Sequence, residues 1–86
     1  MRSFLLKITS PEGDLFCDNA VKISVRGTEG DLAVMAGHIP FVSYVKPCDC
    51  KIELSDGSEK VGVTAGGVLT VSKDKVIFLS GDFSWK

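Results

Sequence analysis

Eighty-six residues suffice for one hydrophobic core and not for two, and 44% apolar with 24% charged residues is the composition of a folded domain rather than a disordered tail. With 10 basic against 11 acidic residues, the chain lacks the basic excess that binding to nucleic acid or docking onto anionic lipid draws on. No stretch approaches the roughly 18–20 apolar residues of a spanning helix, and Phe4-Leu5-Leu6 is too short an apolar run for a secretion signal.

Those limits read as a cytosolic chain, or one attached to a membrane only through another protein. The residues then read as strands almost throughout. Phe4, Leu6 and Ile8 alternate with Leu5, Lys7 and Thr9, a period of two. Pro11-Glu12-Gly13-Asp14 is a turn, because proline presets φ and glycine accepts a positive one. Val21, Ile23 and Val25 alternate with Lys22, Ser24 and Arg26, the pattern of a strand with one face inward. Leu32 and Val34 follow a glycine-bounded turn, and Phe41 to Val45 is a mostly apolar strand closed by Pro47.

Further on, Ile52 and Leu54 alternate with Lys51 and Glu53, and Val61 and Val63 repeat the pattern beyond Asp56-Gly57. Asp-Gly between alternating runs predicts a two-residue type I′ hairpin turn, in which both central residues take positive φ. Val68–Val71 and Val76–Leu79 flank a last polar turn, and the tail from Gly81 to Lys86 is expected to fray. Nine or ten short strands at close spacing, with no helical period and no linker, predict a single all-β domain over 1–86, sandwich or barrel.

No residue set suggests catalysis. His38, the only histidine, lies in Ala36-Gly37-His38-Ile39-Pro40 without the context of a triad, and reads as a structural or interface residue. Three cysteines are an odd number for a disulfide framework. Cys48 and Cys50, two apart on a strand, stand with Cα atoms about 6.5 Å apart, a poor fit to a disulfide. One intervening residue is also too few for the usual zinc spacing, so reduced, partly buried thiols are the expectation. The glycines form neither a P-loop nor a dinucleotide fingerprint. No cofactor, metal, nucleic acid or small-molecule substrate is therefore expected.

One segment stands out. Arg26-Gly27-Thr28-Glu29-Gly30-Asp31-Leu32 places two acidic side chains on a glycine-bracketed loop, and Gly37-His38-Ile39-Pro40-Phe41 makes a second turn soon after. Loops on a rigid scaffold are where binding residues collect, and exposed carboxylates suit a basic partner.

These two segments, with Ser10-Pro11-Glu12-Gly13, Phe16, Val45-Lys46-Pro47 and Gly66-Gly67-Val68-Leu69-Thr70-Val71, resemble the N-terminal domain of the epsilon subunit of F-type ATP synthases, over nearly the whole chain. The resemblance implies a flattened ten-stranded β-sandwich, mostly antiparallel, at the foot of the rotor stalk. It implies partners too, the gamma subunit against one face and the membrane c-ring below. The c-ring contact carries over to Glu29 and Asp31, and the gamma contact to Ser10, His38 and Val42. By the same resemblance the domain is non-catalytic, coupling c-ring rotation to gamma on the cytoplasmic face of a bacterial membrane.

There are departures as well. Ala36, Ile39 and Cys48 stand where that family commonly has proline, alanine and glycine. The chain stops at Trp85-Lys86, before the helical hairpin that inhibits hydrolysis in many relatives, so neither that inhibition nor an ATP site is expected in it. Two other classes remain open on the residues alone, a free-standing β-sandwich adaptor and a small metal or redox protein using the cysteines.

Overall fold

Strand β1 (Phe4–Ser10) buries Phe4, Leu6 and Ile8, as its alternation directs, and turns Leu5, Lys7 and Thr9 outward. The computed structural model describes residues 2–37 and 39–86. Among them are eight further strands: β2 (Gly13–Gly27), β3 (Gly30–Met35), β4 (Phe41–Val45), β5 (Cys48–Leu54), β6 (Glu59–Thr64), β7 (Gly67–Val71), β8 (Lys75–Ser80) and β9 (Phe83–Trp85). No helix occurs among the described residues, so none there is long and apolar enough to cross a membrane.

The strands hydrogen-bond in the order β1-β8-β7-β4-β2-β5-β6-β9, with β3 on β2 and a further pairing of β1 with β2. Among the described residues only the β1–β8 pair is parallel. The path doubles over because β2 changes neighbours along its 15 residues. Its first half pairs with β1, from Ser10↔Gly13 to Phe4↔Ala20, and its second half with β3 and β5. Register against β5 slips between Ala20 and Lys22, and the adjacent Ala20 and Val21 are both buried. Two consecutive buried residues mean that the strand exchanges its inward face there, as a bulge allows. One strand thus serves both layers, and nine strands do the work of the expected ten.

Between the layers lie Leu6, Ile8, Ile23, Ile52, Leu69 and Phe78, all 0% exposed. Each contributes roughly 1.5–3 kcal/mol of apolar burial. A single polar pair is sunk among them at one end. The Thr64 and Ser80 hydroxyls meet at 2.7 Å; Ser80 Oγ also donates to the Asp82 carbonyl at 2.8 Å, and Gly66 N–H donates to Thr64 Oγ1 at 3.0 Å. The pair therefore ties the β6–β7 loop to the β8–β9 turn.

Three expectations are corrected. The β5–β6 connection is a hairpin, but its turn is not type I′. No residue other than glycine has positive φ among the described residues, so Asp56 keeps a negative one, and only Gly57 is positive at 89°. Gly57 N–H bonds Leu54 O at 3.0 Å and Leu54 N–H bonds Ser58 O at 2.9 Å, the pattern of a three-residue loop with a glycine bulge. The Asp56 carboxylate accepts the Ser58 hydroxyl at 2.5 Å and the Ser58 N–H at 2.8 Å, which holds its pKa below the ordinary value.

The tail, second, is a strand. Phe83 is 9% exposed, β9 pairs with β6, and Lys86 N–H bonds Val61 O at 2.9 Å. Third, β6 turns Gly62 and Thr64 inward and leaves Val63 at 40% exposure. The Phe83 ring occupies the space that a Cβ on Gly62 would need. The aromatic on β9 thus fills the core where a β6 side chain would otherwise stand.

Candidate functional site

The β2–β3 hairpin turns through Thr28-Glu29, between the paired Gly27 and Gly30, and Gly30 takes φ 127° to close it. Both acidic side chains are exposed, but register separates their roles. Asp31 stands directly across from Arg26, whose Nε donates to its carboxylate at 3.2 Å. Glu29 projects from the tip with no ion pair among the described residues.

Beside this hairpin runs β4, joined to β2 only at Gly27↔Val45. A Cβ on Gly27 would lie 3.4 Å from Ser43 Oγ and 3.6 Å from Tyr44 O, in ordinary contact with β4. A groove of about 560 Å³ opens between them, with Glu29 and Asp31 on one wall and Phe41, Val42 and Tyr44 on the other. Val42 and Tyr44 are 66% and 69% exposed.

The apolar surface does not stop at β4. The register places Tyr44 beside Val68 and Val68 beside Leu79, and in the next outward row Val42 beside Thr70 and Thr70 beside Ile77. The outer face of β4, β7 and β8 is therefore largely apolar, with Leu79 half exposed. The outer face of β2, β3, β5 and β6 is charged instead, carrying Lys22, Arg26, Lys51, Asp49, Glu53 and Glu59.

Of the sequence-predicted residues, the structure brings Glu29, Asp31 and Val42 to one groove. Ser10 stands at the end of β1, across β8 and β7 from β4, roughly 14 Å at ordinary strand spacing. It is held locally, where Glu12 N–H donates to its Oγ at 3.2 Å. His38 lies outside the described residues. Tyr44, Val68 and Leu79 escaped the sequence reading. Their signal was an apolar residue at outward as well as inward positions of one strand.

The cysteines are all free thiols. Cys50 is fully buried, and burial, with a smaller contribution from nearby Cys48, pushes its pKa up to about 12. Cys48 Sγ accepts the Arg26 N–H at 3.3 Å. Among the described residues no three His, Cys, Asp or Glu side chains group as metal ligands would. At the far edge, Lys60 Nζ lies 4.7 Å above the Trp85 ring, which packs edge-on against Phe83 and Phe16.

A family model for the delta/epsilon chain of ATP synthase, β-sandwich domain, matches residues 3–86. The chain belongs to that family. Among curated relatives, the sodium-ion-specific ATP synthase epsilon chain of Acetobacterium woodii is 34% identical over 83 residues, 96% of this chain and 62% of that one. The chain thus spans less than two thirds of that relative's length. A chain in the Euglena gracilis mitochondrial ATP synthase structure (OSCP/F1/c-ring, rotational state 1) matches with a TM-score of 0.90 at 24% identity, over 96% of this chain and 53% of that one. One in the Tetrahymena thermophila mitochondrial central stalk and c-ring structure matches at 0.78 and 15% identity, over 96% and 66%. Both likenesses are of fold. Within the family domain, the matched span includes the hairpin, β4 and the apolar row through β7 and β8.

Proposed function

We propose that residues 1–86 form one domain of a non-catalytic rotor subunit of an F-type ATP synthase, linking the gamma subunit to the membrane c-ring. In this reading the apolar outer face of β7 and β8, with Val42 of β4, packs on gamma, and Ser10 and His38 belong to the same contact. The hairpin rests on the c-ring through Glu29 and Asp31. Such a subunit sits at the cytoplasmic face of a bacterial plasma membrane, attached through the complex and not inserted. The relatives named above supply the class of assembly.

A single observation carries the reading. An apolar face and a hairpin whose Glu29 has no ion pair among the described residues meet at one groove, so two partners of different chemistry can be held side by side. A coupling element needs that arrangement. Apolar area supplies affinity at one contact, while exposed charge sets orientation and encounter rate at the other.

The test is capture of each partner by the purified chain. Wild type is expected to retain gamma and to attach to the c-ring. Glu29→Lys with Asp31→Lys should weaken ring attachment about tenfold at low salt, and less at high salt where exposed charges are screened. Failure to bind gamma, with ring attachment untouched by the charge reversals, would remove the assignment.

A further inference from the structure

The groove beside the hairpin differs in charge from the hollow that adjoins it. Over β2, β3, β5 and β6, Lys22, Arg26 and Lys51 stand among Asp31, Asp49, Glu53 and Glu59, so most of the charge there is offset. The groove between hairpin and β4 is lined by two carboxylates and by no lysine or arginine. Arg26 answers Asp31 from the neighbouring strand. Among the described residues the Glu29 carboxylate has no ion pair, and it lines the same groove as the most exposed aromatic residue there, Tyr44 at 69%.

We infer that this groove receives an arginine from a loop of the partner protein, its guanidinium lying on the Tyr44 ring and pairing with the Glu29 carboxylate. Guanidinium is planar and weakly hydrated. It stacks on an aromatic face while its N–H groups remain free for a carboxylate in the same plane. A lysine ammonium would satisfy the charge, but as a strongly hydrated point it gains less from the ring. The inference rests on the reading of the hairpin as the c-ring contact, and it adds Tyr44 as a residue that selects what that contact accepts.

Two measurements separate the groove from the reading. In the first, the labelled 86-residue chain is titrated with a capped glycyl-arginyl-glycine peptide and followed by amide and tyrosine ring shifts. Shifts should cluster at residues 27–32 and 41–45, and the lysyl peptide should bind more weakly. Tyr44→Ala should lower the arginyl peptide's affinity roughly three- to tenfold, as loss of a partly exposed cation–aromatic contact implies. Tyr44→Phe should largely keep it, and Glu29→Gln should lose the salt-dependent part. Because Tyr44 projects into solvent, the amide spectrum of Tyr44→Ala reports directly that the fold is kept. Absence of shifts at these residues, or equal affinity in wild type and Tyr44→Ala, overturns the inference.

The second measurement is c-ring capture by the same variants. A matching loss in Tyr44→Ala and Glu29→Gln supports both inference and reading. Peptide binding as described, with ring capture indifferent to Glu29→Lys, upholds the groove's preference for arginine and overturns the reading of its occupant.

Discussion

Gly62→Ala tests the packing logic of the sandwich. The substitution adds one methyl group at an inward position of β6, where Ala is intrinsically better than Gly in a strand by about 0.5–1 kcal/mol. Against that gain stands the Phe83 ring. Its Cζ and Cε1 atoms are the first that the new Cβ would meet, at distances real contacts do not reach. The ring cannot swing aside at low cost, since it is 9% exposed and its centroid lies 4.9 Å from that of Trp85. Overpacking of this kind costs typically 1–3 kcal/mol.

A net loss of about 1–2 kcal/mol follows, and a domain of this size should melt roughly 5–15 °C lower. The decisive comparison is a double-mutant cycle with Phe83→Leu, because leucine lacks the atoms that clash. In that background Gly62→Ala should become neutral or slightly stabilising, a coupling of about 1–3 kcal/mol. Urea denaturation of the four proteins measures it. If the two substitutions simply add, the ring is not what keeps residue 62 a glycine, and the account of β6 is refuted.

Other outcomes follow from the same structure. Cys50 ionises at about 12 in the folded chain against an ordinary 9.0. Its contribution is therefore intact below pH 9 and is lost as pH rises toward 12; denaturation midpoints should fall across that range more steeply in wild type than in Cys50→Ala, by up to about 1.4 kcal/mol per pH unit. Gly57→Ala meets no atom within 4 Å yet must adopt φ 89°, so it should cost about 1 kcal/mol by strain alone, measured by thermal melting. The depressed Asp56 pKa stabilises above its unfolded value and fades as pH falls through the folded one; Asp56→Asn should flatten the acid limb of the stability profile. Ser80→Ala strands the buried Thr64 hydroxyl proton, and chemical denaturation should register a loss of about 1–3 kcal/mol.

Most of the strand pattern was legible because a half-buried strand writes its two faces into alternate residues, as Val21, Ile23 and Val25 do. What stayed hidden depended on partners distant in sequence. Nothing near Gly62 announces that Phe83 will fill its place, so Val61 and Val63 looked like the inward pair. Gly81–Lys86 read as loose because its strand partner, β6, lies some twenty residues away. The acidic hairpin was plain from its glycines, but the pairing of Asp31 with Arg26 depends on register across the turn. Tyr44 was invisible as a surface residue for a related reason. Only the order β8-β7-β4 shows that it continues a row of outward apolar side chains.

The length of β2 has a mechanical consequence. Glu29 caps one end of that strand and the turn bearing Ser10 adjoins the other, so a load on the acidic hairpin reaches the opposite margin along a single unbroken chain of peptide bonds. Hydrogen bonds to β1, β3 and β5 flank this cable and resist its lateral escape. The two layers then cannot slide past one another without unthreading the strand that belongs to both. Under twist, the yielding points of such a body are its loops, and the two layers move as one piece.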